Sequence, residues 1–173
     1  MRHLTTGFVL ALAIASGPLL GEEEAGAGIL NATSPAPGIL FGGQPTAEQL
    51  GKLAAAEYKT VIDLRMPSED RGYDEAAAAK AVGLEYVPVP VGRETLDDAA
   101  TLDKFIEVFN EVEKPVLVHC GSGGRVGAVY YAWLVANEGM SRDEALERAK
   151  EHGMRSEALR VPVDVYLDGM ANP

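Results

Sequence analysis

The sequence predicts an α/β fold: a single central, mostly parallel sheet flanked by helices. Short apolar runs rich in β-branched residues, such as Thr60-Val61-Ile62-Asp63-Leu64 and Pro115-Val116-Leu117-Val118, read as buried strands. Longer stretches with helical spacing stand between them, and strands separated in this way are joined by crossovers into a parallel sheet. Capping residues and glycines fall where those helices would start and stop.

In chain order, Arg2 and His3 give a weakly basic start, Phe8 to Ala15 is an apolar run, and Ala13-Ile14-Ala15 has a small-x-small cleavage pattern. Residues 1–21 are therefore expected to be a signal peptide, and the protein to be exported, periplasmic or secreted. The run is too short to span a bilayer, and Gly17-Pro18 interrupts it. No stable membrane insertion is expected after cleavage. Residues 22–38, with three glutamates and then Gly, Ala, Ser and Pro, read as a linker. The Asn31-Ala32-Thr33 sequon carries little weight, because such triplets arise by chance.

The domain is expected over residues 39–173. Ile39 to Phe41 is a short strand, stopped by Gly42-Gly43. Thr46 and Gln49 form a capping box for a helix to about Glu57. Thr60 to Leu64 is the next strand. Asp74 to Val82 is an Ala-rich helix that Gly83 can end. Leu84 to Val89 is a strand. Asp97 to Glu113 is a helix whose apolar positions are Leu102, Phe105, Ile106 and Phe109. Pro115 to Val118 is a strand, Arg125 to Glu138 a helix, and Ser141 with Glu144 caps another helix to about Glu151. From Arg155 onward the pattern fits no element clearly.

Bulk properties narrow the function. The chain has 173 residues and a formal net charge of -11. Nucleic acid and anionic lipid are poor partners for it, since both demand clustered Lys and Arg. A lone cysteine, Cys120, excludes an internal disulfide and zinc sites of several cysteines. No metal and no cofactor is expected.

Ligands bind beyond the C-terminal ends of the strands in such sheets. Three of those ends converge: Asp63-Leu64-Arg65, Val89 to Glu94, and His119-Cys120. The last leads into Gly121-Ser122-Gly123-Gly124-Arg125 and then a helix. Three glycines let the backbone turn sharply with inward amides, which form an anion cradle reinforced by the helix N-terminus. An electropositive cradle favours the thiolate form of a cysteine at its rim. Arg125 adds a planar fork that can hold two oxygens of a tetrahedral oxyanion. Gly121, Ser122, Gly123, Gly124 and Arg125 are therefore the expected oxyanion-binding residues, and Cys120 the nucleophile. His119 should point to the opposite face from Cys120 and fix the loop structurally. Arg65 either adds positive potential to the cleft or pairs with Glu69 or Asp70 at the surface.

The segment His119-Cys120-x-x-Gly123-x-Arg125 resembles the signature loop of cysteine-dependent tyrosine and dual-specificity phosphatases. With Gly43-Gln44-Pro45-Thr46 and Thr60 to Arg65 it is similar to one subgroup, the phosphatase-like domain of beta-lactamase-hydrolase-like proteins (the DUF442 family). The likeness covers roughly residues 39–150. It implies a dual-specificity-phosphatase-like fold, a Cys120 nucleophile, an oxyanion-binding Arg125 and a phosphorylated substrate. Three features depart from that family's pattern. Four residues, not five, separate Cys120 from Arg125, a spacing that resembles the persulfide-carrying loop of rhodanese-type sulfurtransferases and opens the alternative of a sulfur-bearing substrate. Arg93 stands near the place of the usual general acid, leaving Glu94 as the candidate, with Asp97 and Asp98 read as a solvated helix start. Val126 replaces the usual hydroxyl residue after the arginine, leaving Ser122 as the hydroxyl inside the loop. A non-catalytic oxyanion-binding domain is the third alternative.

Overall fold

The computed structural model describes residue 26 and residues 28–171; the expected signal segment lies outside them. Strands β1 (Thr33–Ala36), β2 (Ile39–Gly42), β3 (Thr60–Asp63), β4 (Glu85–Pro88) and β5 (Val116–His119) form one sheet. Its order is β1-β2-β5-β3-β4, with β1 antiparallel to β2 and every other pair parallel. The expected architecture is therefore present, with one antiparallel edge added. The helices are α1 (Ala47–Ala55), α2 (Glu75–Ala81), α3 (Ala99–Glu111), α4 (Gly124–Ala136), α5 (Arg142–Glu151) and α6 (Glu157–Ala171). Among the described residues no helix is long and apolar enough to cross a membrane.

The central strands β3 and β5 are buried along their whole length, as their unbroken β-branched runs require. Their side chains alternate between two cores. Leu40, Val61 and Leu117 face α1 and α2, packing on Leu50, Leu53 and Ala79. Phe41, Ile62, Val116 and Val118 face α3, α4 and the C-terminal helices. α4 is the most apolar helix, buried from Val126 through Ala132, because the sheet, α5 and α6 surround it. Capping follows the sequence: Thr46 and Gln49 close a capping box on α1, Asp74 caps α2, and Ser141 caps α5.

Two departures are instructive. The folded part begins before residue 39. Thr33–Ala36, expected within the linker, forms the edge strand, and Ile29 is buried at 5% exposure. The strand is short and carries Pro35, which an edge tolerates because one side of its backbone has no partner. From residue 155 the chain forms α6 despite an internal proline, Pro162. The spacing Leu159, Val163, Tyr166, Leu167 puts four buried residues on one face. Burying that face outweighs the hydrogen bond that the proline removes.

Candidate active site

β5 ends at His119, between Gly42 of β2 and Asp63 of β3. Cys120 opens the loop that becomes α4 four residues later. The loop's shape is fixed from its outer side. Asn31 Nδ2 donates to the Ser122 carbonyl at 3.0 Å, and the Gln44 amide donates to the Gly121 carbonyl at 3.4 Å. In trans peptides the amides of Ser122 and Gly123 then point the other way, inward. The Gly123 amide indeed donates to Cys120 Sγ at 3.1 Å. Gly123 takes φ +87°, open to glycine at little cost. A Cβ at Gly43 would sit 3.0 Å from the Gly121 carbonyl oxygen. On the other side, the turn between α5 and α6 abuts the loop: Gly153 (φ +111°) lies so close to the Gly123 carbonyl that an added Cβ would collide with it.

Arg125 is held by a residue that sequence reasoning treated only as a surface partner of Arg65. Glu69 takes the end of its guanidinium in a bidentate pair, Nη1 to Oε1 at 2.6 Å and Nη2 to Oε2 at 2.8 Å. Nη1 also donates to the Val91 carbonyl at 3.1 Å. Nε and the second Nη2 proton take no part in those bonds, and the guanidinium lies close enough to interact with Cys120. Arg65 is 7% exposed rather than superficial. Its Nε donates to Glu69 Oε2 at 3.3 Å and its Nη2 to the Asp70 carbonyl at 2.7 Å. It therefore backs the carboxylate that holds Arg125.

Hydrogen bonds from Arg125, with those from the Met66 amide and Arg65, hold the Glu69 carboxyl at a pKa of about 2, against partial burial. The same pairing raises the Arg125 pKa. Because the folded-state pKa of Glu69 is depressed, its contribution to stability is complete above about 4.5 and fades as pH falls toward about 2. The stability gap between wild type and Glu69→Gln in urea titrations should therefore be widest near neutrality and close across that acid window.

Asp63 and His119, in register on adjacent strands, face the α1–α2 side, away from Cys120. Both are fully buried. His119 Nε2 lies 2.9 Å from Glu75 Oε1 and 3.8 Å from Asp63 Oδ1, close approaches rather than aligned hydrogen bonds. Asp63 accepts from the Arg65 amide at 2.8 Å, from Tyr86 Oη at 2.6 Å and from Arg71 Nε at 2.8 Å. One ligand atom from each of Asp63, Glu75 and His119 lies within 4.8 Å of the others, a grouping that could hold a metal ion. Arg71 Nη2, 2.7 Å from Asp63 Oδ2, already supplies a cation there. The cluster is thus built as an ion-pair network that ties β3, β5, α2 and the 65–72 loop together beneath Cys120.

A cavity of about 310 Å³ opens over the loop, lined by Cys120, Ser122, Arg125, Glu69, Arg93 and Glu94. Met66, Leu159 and the glycines Gly92, Gly121 and Gly124 also line it. Cys120 is 2% exposed, so its sulfur is reached through this cavity. Arg93 and Glu94 project from a single 3₁₀ turn, Arg93–Thr95, that Thr95 ties to the Gly92 amide at 3.0 Å. Glu94 is exposed, with its carboxylate folded over Gly92, where an added Cβ would strike it. Asp98 instead caps α3 through the Thr101 amide at 3.1 Å, and Asp97 lies outside the cavity lining.

The sequence assigns none of Glu69, Met66, Leu159 and Asn31 to the site: Glu69 enters there only as a partner of Arg65, and Asn31 only within a chance sequon. Each reaches the loop from a distant part of the chain, with no motif that ties it to Cys120. For Asp63 a signal existed: a charged residue inside a β-branched strand must have partners.

A family model described as "DSP-PTPase phosphatase fused to NAD+ Kinase" matches residues 28–162. A beta-lactamase hydrolase-like protein of Xylella fastidiosa is 34% identical over 119 residues, covering 66% of this chain and 27% of that protein. The chain thus spans about a quarter of the length of the curated relatives it matches. A DUF442 structure from Shewanella putrefaciens superposes with a TM-score of 0.67 at 21% identity, covering 85% of this chain and 97% of the other. TpbA of P. aeruginosa, in complex with pTyr, gives 0.60 at 22% identity, covering 83% and 92%. At these identities the two structures establish the fold.

Proposed function

Because the chain belongs to the family of DSP-PTPase phosphatases fused to NAD+ kinase, we propose that it is a cysteine-dependent phosphatase whose nucleophile is Cys120. The observation that carries this reading is the shared cavity: Cys120, whose Sγ accepts the Gly123 amide at 3.1 Å, and Arg125 both line it, and the guanidinium interacts with Cys120. The Cys120 thiolate attacks phosphorus in line with the leaving oxygen. An S–P bond forms as the P–O bond breaks. The equatorial phosphoryl oxygens take the loop amides of Gly121 to Gly124 and the Arg125 fork. Water then attacks the phosphocysteine, the S–P bond breaks, phosphate leaves and the thiolate returns. Glu94, at the cavity rim, is suited to accept the proton of that water. His119 supports the loop from the buried cluster, and Arg65 supports Arg125 through Glu69. The apolar stretch Phe8 to Ala15 supports export of the protein.

A second reading, sulfur transfer through a Cys120 persulfide, draws on the four-residue spacing between Cys120 and Arg125. The two are separated by assaying p-nitrophenyl phosphate hydrolysis beside thiocyanate formation from thiosulfate and cyanide. Phosphate release is expected. Thiocyanate formation without phosphate release would replace the phosphatase reading by the second.

A further inference from the structure

We infer that the cavity acts on phosphorylated compounds whose leaving group departs as a weakly basic anion, phosphoanhydrides foremost, and that Arg93 binds that anion. The inference rests on the phosphatase reading above.

Three observations converge on it. The first concerns protons. Among the described residues the carboxylates lining the cavity are Glu69 and Glu94. Glu69 has both oxygens committed to Arg125 and its pKa held at about 2, so it carries no proton to give near neutrality. Glu94 is exposed and folded over Gly92. The second concerns charge. Arg93 and Arg125 both line one cavity in a chain of net charge -11. Glu69, in the same lining, offsets Arg125, whereas no carboxylate is paired with Arg93 among the described residues, so Arg93 is the cation left to favour a second anionic group beside the phosphoryl group under attack. The third concerns size. At ~30 Å³ per water molecule, 310 Å³ holds about ten waters. That is room for a phosphoryl group and one further phosphate-sized group.

The chemistry follows. Expelling an aliphatic alkoxide without a proton means releasing a base about as strong as hydroxide, whose conjugate acid has a pKa of roughly 16. A phosphate monoester leaving group has a second pKa of about 6 and departs unprotonated at neutral pH. Cys120 Sγ bonds to the terminal phosphorus. The bridging P–O bond breaks, its electron pair stays on the bridging oxygen, and the resulting phosphate-type anion rests on Arg93. Water completes the cycle at the phosphocysteine, with Glu94 receiving its proton.

The test is the dependence of kcat/KM on leaving-group pKa across a series of aryl phosphates, from nitrophenols to a tyrosine-like phenol, with inorganic pyrophosphate as the anhydride probe. The wild-type value should fall several-fold for each pKa unit. Glu94→Gln should keep that steep slope and lower kcat more than kcat/KM, the signature of a role in the second step alone. Arg93→Ala should lower kcat/KM for pyrophosphate about tenfold, and for aryl phosphates distinctly less. A flat slope, or one that steepens in Glu94→Gln, would make Glu94 a general acid and overturn the inference while leaving the phosphatase reading intact. Equal or absent losses for both substrates in Arg93→Ala would overturn it too. If no phosphate is released from any substrate, both the inference and the reading beneath it fail.

Discussion

Cys120→Ser abolishes turnover of every phosphorylated substrate that the wild-type protein hydrolyses, a loss of about 10⁴-fold or more. The alcohol is a far weaker nucleophile than a thiolate, and its proton has no committed acceptor: His119 faces the opposite side of the sheet, Glu69 is taken up by Arg125, and the Glu94 carboxylate is folded over Gly92 at the cavity rim. The substitution is nearly isosteric. The serine oxygen can still accept the Gly123 amide, and Arg125 keeps its Glu69 partner. The variant should therefore fold and still bind inorganic phosphate, seen as protection against thermal unfolding. Retained turnover in this variant would place the chemistry elsewhere.

Asp63→Ala has the largest expected effect on stability, a loss of about 3–5 kcal/mol. Asp63 is fully buried and anchors Arg71, Tyr86 and the Arg65 amide at once. Removing it leaves the Arg71 guanidinium, 17% exposed, with Glu75 at 4.0 Å as its one remaining carboxylate beside the carbonyls of Arg65, Met66 and Glu69, and orphans a hydroxyl and an amide. Against the 5–15 kcal/mol that stabilises most domains, such a loss is severe. Tyr86→Phe removes one of these hydrogen bonds and should cost only about 1 kcal/mol. Urea midpoints for the two variants would show the contrast. Similar losses in both would mean that Asp63 is held chiefly by packing.

The parts of the fold that were legible in sequence are those set by local rules. Thr46 with Gln49, Asp74 and Ser141 announce helix starts because capping is a matter of three or four residues. Thr60 to Asp63 and Val116 to His119 announce buried strands because both of their faces are covered. The loop from Cys120 to Arg125 was legible because its nucleophile, cradle and fork are contiguous. What stayed hidden depends on partners far along the chain. Thr33–Ala36 pairs only because β2 offers a free edge, and α6 forms around Pro162 only because its apolar face meets α4 and the core. Glu69 lies 56 residues from Arg125, within a loop whose composition reads as solvent-facing. Its role depends on that loop folding under the cavity, pinned by Arg71 to Asp63. Glu75, first residue of an Ala-rich helix, reads as an ordinary dipole-favoured acid. It is 1% exposed because His119 stands opposite it.

The mechanism passes through a phosphocysteine at residue 120, which acid quenching of the protein during turnover of a good aryl phosphate, followed by peptide mass spectrometry, would trap. A phosphoryl group on the peptide containing Cys120, absent from Cys120→Ser, is the predicted result. An extra sulfur on that cysteine in place of phosphate, or phosphate release with no adduct on it under any quench, would contradict the account.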